Sequence, residues 1–234
     1  MIVILTGAGI SRESGLATFR GQGGLWENVK IEDVATPRAF RKNPDLVYEF
    51  YNARRKQLLS PDITPNPAHF ALARLEEEAA VPVLVITQNV DDLHERAGTR
   101  NLIHMHGELL KSRCLACDDV RRWEKDLGTA DACPNCGRAG LLRPHIVWFE
   151  ERPLHLHEIH EALSLCRVFV SIGTSGQVYP AAGLAGEARS LGAHVVELNL
   201  EPSGGANLFH EGRYGPASQV VPQWVDEVLR GGKG

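Results

Sequence analysis

Four cysteines carry the most specific spacing in this chain: Cys114-x2-Cys117, fifteen intervening residues, then Cys133-x2-Cys136. Two tight turns that each present two thiolates supply a tetrahedral zinc shell. Each knuckle holds turn-forming residues, Leu115 and Ala116 in the first, Pro134 and Asn135 followed by Gly137 in the second. Because all four ligands are cysteine, no position is left open for water or substrate, and the metal is expected to be structural. Two disulfides are the competing reading. They require export, and Met1 runs directly into IVILTGAG without a basic stretch or a cleavage site. The fifth cysteine, Cys166, precedes the apolar run VFVSI and reads as a small core residue.

Two further segments have chemical potential. TQNVDDLHERAGTRNLIHMHG, residues 87–107, sets a polar cluster at the end of an apolar run and an isolated His106-Gly107 seven residues ahead of the metal module. A lone His-Gly is by itself a turn histidine. Near the N-terminus, Gly7-Ala8-Gly9 follows an apolar strand, but the dinucleotide fingerprint wants a third glycine where this chain has Arg12. Without the fingerprint, two readings stay open: a tight strand-to-helix turn, or a loop whose Gly7 and Gly9 let the backbone approach a pyrophosphate facing a short helix over 11–15.

The elements that must position these residues alternate. Apolar runs IVIL (2–5), VPVLVI (81–86), VFVSI (168–172) and HVVEL (194–198) are each followed by small or polar residues. Between them lie helical patterns: Asn66 and Pro67 cap a helix with Ala68, Leu72, Leu75 and Ala79 on one face, and Pro222 opens a last helix carrying Val225, Val228 and Leu229. The alternation predicts an α/β fold with a Rossmann-like parallel sheet, which binds ligands beyond the carboxyl ends of its strands. All four polar clusters fall at such ends. The stretch from Trp26 to Ser60, with Asn43 and Pro44 capping a helix through Leu58, and the cysteine module break the pattern. The expected division is a Rossmann-like sheet domain of residues 1–25, 61–110 and 143–234, and a smaller inserted domain of 26–60 and 111–142. A cleft between the two is the natural substrate site.

A net charge of −4 supplies no general basic field for nucleic acid, and no apolar run approaches the ~20 residues that span a bilayer. A cytoplasmic protein without nucleic-acid or membrane partners is expected. His155, His157 and His160 lack an identifiable metal partner and read as a solvated helix start, and Arg54, Arg55 and Lys56 as a solvated helix face.

Taken in order, Gly7-Ala8-Gly9-Ile10-Ser11, Gly15-Leu16-Ala17-Thr18-Phe19-Arg20, Thr87-Gln88-Asn89-Val90-Asp91 with Leu93-His94 and Ala97-Gly98, His106-Gly107, the four cysteines, Val147-Trp148-Phe149, Gly173-Thr174-Ser175, Asn199-Leu200-Glu201 and Gly215-Pro216-Ala217 resemble the sirtuin family of NAD-dependent protein lysine deacylases. The resemblance spans essentially the whole chain. It implies that NAD is a co-substrate whose pyrophosphate lies on Gly7, Ala8, Gly9 and Ser11. Its adenosine would lie near Gly173, Thr174, Ser175, Asn199, Leu200, Glu201 and Ala217, and its nicotinamide near Asn89 and Asp91. A carboxamide suits that pair, since Asn89 both donates and accepts while Asp91 accepts. Gln88 would bond the ribose hydroxyls, and Phe19 and Arg20 would sit on a loop closing over the cofactor. His106 would be the general base, taking a ribose hydroxyl proton after the acyl oxygen of the modified lysine has displaced nicotinamide; an imidazole titrates near neutrality and suits that task. The products would be nicotinamide, O-acyl-ADP-ribose and free lysine. Val147, Trp148 and Phe149 would run along the substrate peptide, and acylated lysines of proteins would be the partners.

Where the family has proline and aspartate, this chain has Ala17 and Thr18; where it has glycine after Val147-Trp148-Phe149, this chain has Glu150. Met1 stands one residue before the first strand, so the N-terminal helix of many relatives is expected to be absent. Tyr51 and Arg54, at i and i+3, share a helix face, and this pair, like Thr18, resembles the desuccinylase and demalonylase branch. A phenol and a guanidinium together make a receptor for a carboxylate, so succinyl and malonyl groups are the expected substrates, with acetyl also possible. The competing functions are mono-ADP-ribosyl transfer to protein, a noncatalytic NAD or ADP-ribose sensor, and a zinc-ribbon nucleic-acid binder.

Overall fold

Ile2–Thr6 (β1) is buried at every position, the pattern of a strand covered on both faces. In the computed structural model, which describes residues 1–17 and 29–231, β1 sits inside a six-stranded sheet with Val83–Thr87 (β2), Leu102–His104 (β3), Val168–Ile172 (β7), His194–Asn199 (β8) and Glu211–Tyr214 (β9). The order is β3-β2-β1-β7-β8-β9, every pair parallel. The chain leaves β1 toward β2 and β3, then returns to the other side of β1 as β7. That reversal opens a crevice at the carboxyl ends of β1 and β7, where a doubly wound sheet binds its ligand.

Strand alternation sorts the core into two layers. Ile2, Ile4, Val85, Val170 and Val196 pack under the helices Pro67–Glu78 (α4) and Ala217–Gly231 (α8). Val3, Leu5, Ile86, Phe169 and Val195 face the helices Leu156–Ser164 (α6) and Leu184–Ser190 (α7). Leu72 and Leu75 of α4 are fully buried, and each contributes about 1.5–3 kcal/mol relative to exposure, more than helix propensity supplies. The Asn66 side chain accepts from the Ala68 amide, and His69 Nδ1 accepts from the Asn66 amide, closing a capping box at Pro67.

Pro222 does not open the last helix. α8 begins at Ala217, after Gly215-Pro216, and Pro222 lies inside it. The buried Val220, Val221, Trp224 and Val225 hold the helix on the sheet and outweigh the one hydrogen bond the ring forfeits.

Three helices pack on a second, smaller sheet. Ile31–Val34 (α1), Pro37–Lys42 (α2) and Pro44–Leu58 (α3), the last capped by Asn43 as expected, pack on an antiparallel sheet of Gly107–Cys114 (β4), Val120–Arg122 (β5) and Leu142–Ile146 (β6), in the order β5-β4-β6. A third apolar cluster joins them through Phe40, Tyr48, Leu109 and Trp148. No helix among the described residues is long and apolar enough to cross a membrane.

Candidate active site

The loops after β1 and β7 are joined by their backbones. Gly7 N donates to Ile172 O at 2.9 Å, and Gly9 N to Gly173 O at 2.8 Å. A Cβ on Gly9 would stand 2.7 Å from the Gly173 Cα, and one on Gly173 would stand 2.5 Å from the Ile10 nitrogen. Gly173 also has φ of +61°. Glycine is thus required by loop-on-loop contact at the crevice, whatever approaches it from outside.

Behind this loop lies a buried polar network. Ser11 Oγ donates to Asp91 Oδ2 at 3.0 Å and accepts from Asn89 Nδ2 at 3.1 Å. His69 Nδ1 already accepts from the Asn66 amide, so its Nε2 carries the proton directed at Ser11 Oγ, 3.5 Å away. Burial lowers the pKa of His69 to about 4 and keeps it neutral. Thr6 Oγ1 donates to Thr87 Oγ1 at 2.8 Å and accepts from His94 Nε2 at 3.1 Å, and Thr87 Oγ1 takes the Asn89 amide. His94 therefore supports the strand ends, in keeping with a structural part. Burial raises the pKa of Asp91 to about 6, despite bonds from Ser11 and the Leu93 amide. Asn89 Oδ1 is buried without a partner among the described residues. An orphaned acceptor at that site fits the amide donor of a carboxamide ligand. Sequence reading gave no role to His69, Thr6 or Thr87, because the partners that define them lie 58 to 88 residues away.

His106 precedes β4. Its Nδ1 lies 3.2 Å from the carbonyl oxygen of Gln88, which only accepts, so Nδ1 carries the proton and Nε2 keeps the lone pair. Burial lowers its pKa below 6.5, against the opposing pull of the Gln88 bond. The ring is therefore an unprotonated base at neutral pH.

One cleft of about 1490 Å³ joins these parts. Every residue expected from sequence to hold cofactor or peptide lines it, apart from Phe19 and Arg20, which, like Thr18, lie outside the described residues. Its far wall belongs to α3 and the segment after β6. Tyr51 is buried, and its hydroxyl meets Trp148 Nε1 at 2.9 Å. The Arg54 guanidinium lies over the Phe50 ring, 3.2 Å from its centroid, and Nη1 donates to Phe50 O. It has no carboxylate partner among the described residues, and Nε is buried without any partner. Burial brings its pKa down to about 10, still charged at neutrality.

The cysteines meet beyond the other end of β4. Their four Sγ atoms all lie within 4.8 Å of one another, with Cys114 and Cys136 at 3.7 Å and Cys117 and Cys133 at 3.8 Å. Tetrahedral zinc at about 2.3 Å per bond requires sulfurs a little under 4 Å apart, so the set fits that ion. Both knuckles close alike: Asp118 N donates to Cys114 O and Gly137 N to Cys133 O, each donor residue having positive φ. Cys166 is buried against the sheet, its thiol pKa raised by burial, as a core residue would be.

The pattern that defines the Sir2 family matches residues 7–180. The chain belongs to the Sir2 family. It is 57% identical over 230 residues to an NAD-dependent protein deacylase of Salmonella typhimurium, covering 98% of this chain and 84% of that one. Among Sir2 structures, it resembles a Sir2 homologue in complex with NAD at a TM-score of 0.89 and 38% identity, covering 99% of this chain and 90% of the other. It also resembles a Sir2 protein bound to a myristoylated histone peptide, at a TM-score of 0.75 and 33% identity over 98% and 91% of the two chains. The Sir2 fold accounts for the parallel sheet, the small sheet and the clustered cysteines together.

Proposed function

We propose that this protein is an NAD-dependent protein lysine deacylase that favours acidic acyl groups. One observation carries the reading: His106, with Nε2 unprotonated, and Asn89, with an orphaned buried oxygen, line the same cleft. The curated relative's name and the NAD and peptide complexes of the neighbours support it.

NAD would supply an electrophilic ribose carbon and carry the acyl group away as O-acyl-ADP-ribose. The Gly7 to Ser11 loop and residues 173–175 and 199–201, with Ala217, would hold it, and Asn89 and Asp91 would orient its carboxamide. His106 Nε2 would take the ribose hydroxyl proton and return it, as an imidazole whose pKa burial lowers can. Val147, Trp148 and Phe149 would seat the peptide. Tyr51 and Arg54 would receive the carboxylate of a succinyl or malonyl group; the free charge of Arg54 in the cleft wall supports this.

Zinc on the four cysteines would fix the small sheet without meeting substrate. The division of the chain into a larger unit (1–25, 61–110, 143–234) and a smaller one (26–60, 111–142) belongs to the same reading. The third apolar cluster supports it, although Ile63, Leu93, Leu109, Leu110, Ile146 and Trp148 cross the seam. Acylated proteins would be the partners, in the cytoplasm, where thiolates stay reduced for the metal.

The test is a panel of acetyl, malonyl, succinyl and long-chain acyl-lysine peptides incubated with NAD and read by mass spectrometry. Deacylated peptide with O-acyl-ADP-ribose is expected, succinyl or malonyl fastest. ADP-ribosylated protein without deacylated peptide would replace the reading with mono-ADP-ribosyl transfer.

A further inference from the structure

The segment after β6 contains a residue of the wrong type for its backbone. Glu151 N donates to Trp148 O at 3.1 Å, closing a turn over 148–151 whose third residue, Glu150, has φ of +73°. Turns of that shape ordinarily place glycine or asparagine there, because a Cβ crowds the neighbouring carbonyl. The surroundings impose the conformation. The Glu151 carboxylate accepts from the Trp148 amide at 2.8 Å and from both Arg143 Nη atoms at 2.6 and 2.9 Å, and Phe149 N donates to Ala35 O. Since the turn is held from outside, glycine would fit it without strain, and the strained glutamate there points to a use for its side chain.

That side chain is exposed, forms part of the cleft wall and has no ion-pair partner among the described residues. The neighbouring charges do not neutralise it. Glu151 is engaged by Arg143, with Arg113 3.7 Å away, while Arg152 lies outside the cleft wall. Three residues before Glu150, Val147 N donates to His106 O at 2.9 Å. Three residues of chain span at most about 10 Å, which keeps Glu150 near the His106 backbone and leaves the residues flanking an acyl-lysine at His106 able to come within its reach.

We propose that Glu150 selects acylated sites flanked by a lysine or arginine and disfavours those flanked by acidic residues. This rests on the deacylase reading and refines its peptide site. A solvent-exposed pair of this kind changes preference about two- to fivefold at low salt and less as salt rises.

The test uses two succinyl-lysine peptides identical except for arginine or glutamate on either side of the acylated residue, supplied together with NAD. The ratio of initial rates is read by mass spectrometry. The wild type should favour the arginine peptide about two- to fivefold, Glu150→Gln and Glu150→Gly should bring the ratio near one, and Glu150→Lys should reverse it. Glu150→Gly removes charge and strain together, so agreement with Glu150→Gln assigns the effect to charge. Fluorescence anisotropy of the labelled peptides reads the same preference without turnover. Absence of deacylation on both peptides, with acetyl-lysine versions also inert, would sink the deacylase reading while binding still judged Glu150. Equal ratios in the wild type and Glu150→Gln, by rate or by binding, would overturn the proposal.

Discussion

The hydroxyl of Tyr51 accepts a 2.9 Å hydrogen bond from the indole nitrogen of Trp148, joining α3 to the segment after β6 across 97 residues of chain. Because the indole only donates, the phenolic proton of Tyr51 is directed elsewhere, and no other partner for it exists among the described residues. Burial raises the pKa of Tyr51, so the phenol stays protonated and available as a donor. Arg54 shares that wall.

A charge-assisted contact of about 1.5–3 kcal/mol, kept in the transition state, corresponds to roughly 10- to 150-fold in rate. Arg54→Met is therefore expected to lower kcat/KM for succinyl and malonyl peptides by about that factor, and for acetyl peptide much less. Steady-state kinetics on the three peptides checks it; equal losses would assign Arg54 to the fold.

His106→Ala should cut deacylation by ~100- to 10,000-fold, the usual contribution of a positioned base, while the variant still binds NAD by calorimetry. The wild-type pH profile carries a second signature. Burial lowers the His106 pKa, so the acid limb of kcat/KM should lie at lower pH than the titration of an ordinary imidazole. Wild-type turnover by the variant would remove His106 from the chemistry.

One zinc per chain is expected by elemental analysis. Cys114→Ser should lower metal content and melting temperature together, because the antiparallel module places Cys114 and Cys133 inside its own apolar cluster and depends on the ion for closure. Full activity and unchanged melting in a metal-free protein would contradict this.

Asp91 gives a stability signature. Its pKa is raised from 3.8 to about 6 in the folded protein, so folding takes up a proton at this site. The stabilisation is fully present below about pH 4 and is lost as pH rises through 6. Asp91→Asn removes the titration. Whatever its constant offset, the variant should gain on the wild type by roughly 1–3 kcal/mol between pH 4 and pH 7.5, measured by denaturant unfolding without NAD. A difference that does not change with pH would mean the carboxylate titrates normally.

Local signals in the chain were enough to place much of this. The runs at 2–5 and 168–172 are apolar but for Ser171 because both faces of β1 and β7 are covered, and Asn43-Pro44 and Asn66-Pro67 start helices because cap and fixed φ act within one turn. The two C-x2-C pairs specify their metal for the same reason: each knuckle is a single turn, and only the distance between the pairs needed a fold. The edge strands β3 and β9 are short and half-exposed and leave no such periodic trace. A proline at 222 signals a helix start from its own geometry, whereas packing of Val220 and Val221 on the sheet carries the helix through it.

The sequence by itself determined the alternating fold class, the cysteine set and, through its ordered motifs, the family to which the chain belongs. Tertiary structure alone decided why Gly7, Gly9 and Gly173 are glycines, since the obstacle is a backbone more than 160 residues away. It alone decided which nitrogen of His106 is free, because the Gln88 carbonyl fixes the tautomer from 18 residues away in sequence. It alone revealed the strained φ of Glu150. Caps, knuckles and strand runs depend on energies that act within a few residues. Tautomers, orphaned acceptors and imposed strain depend on partners that meet only when the sheet brings its strand ends together.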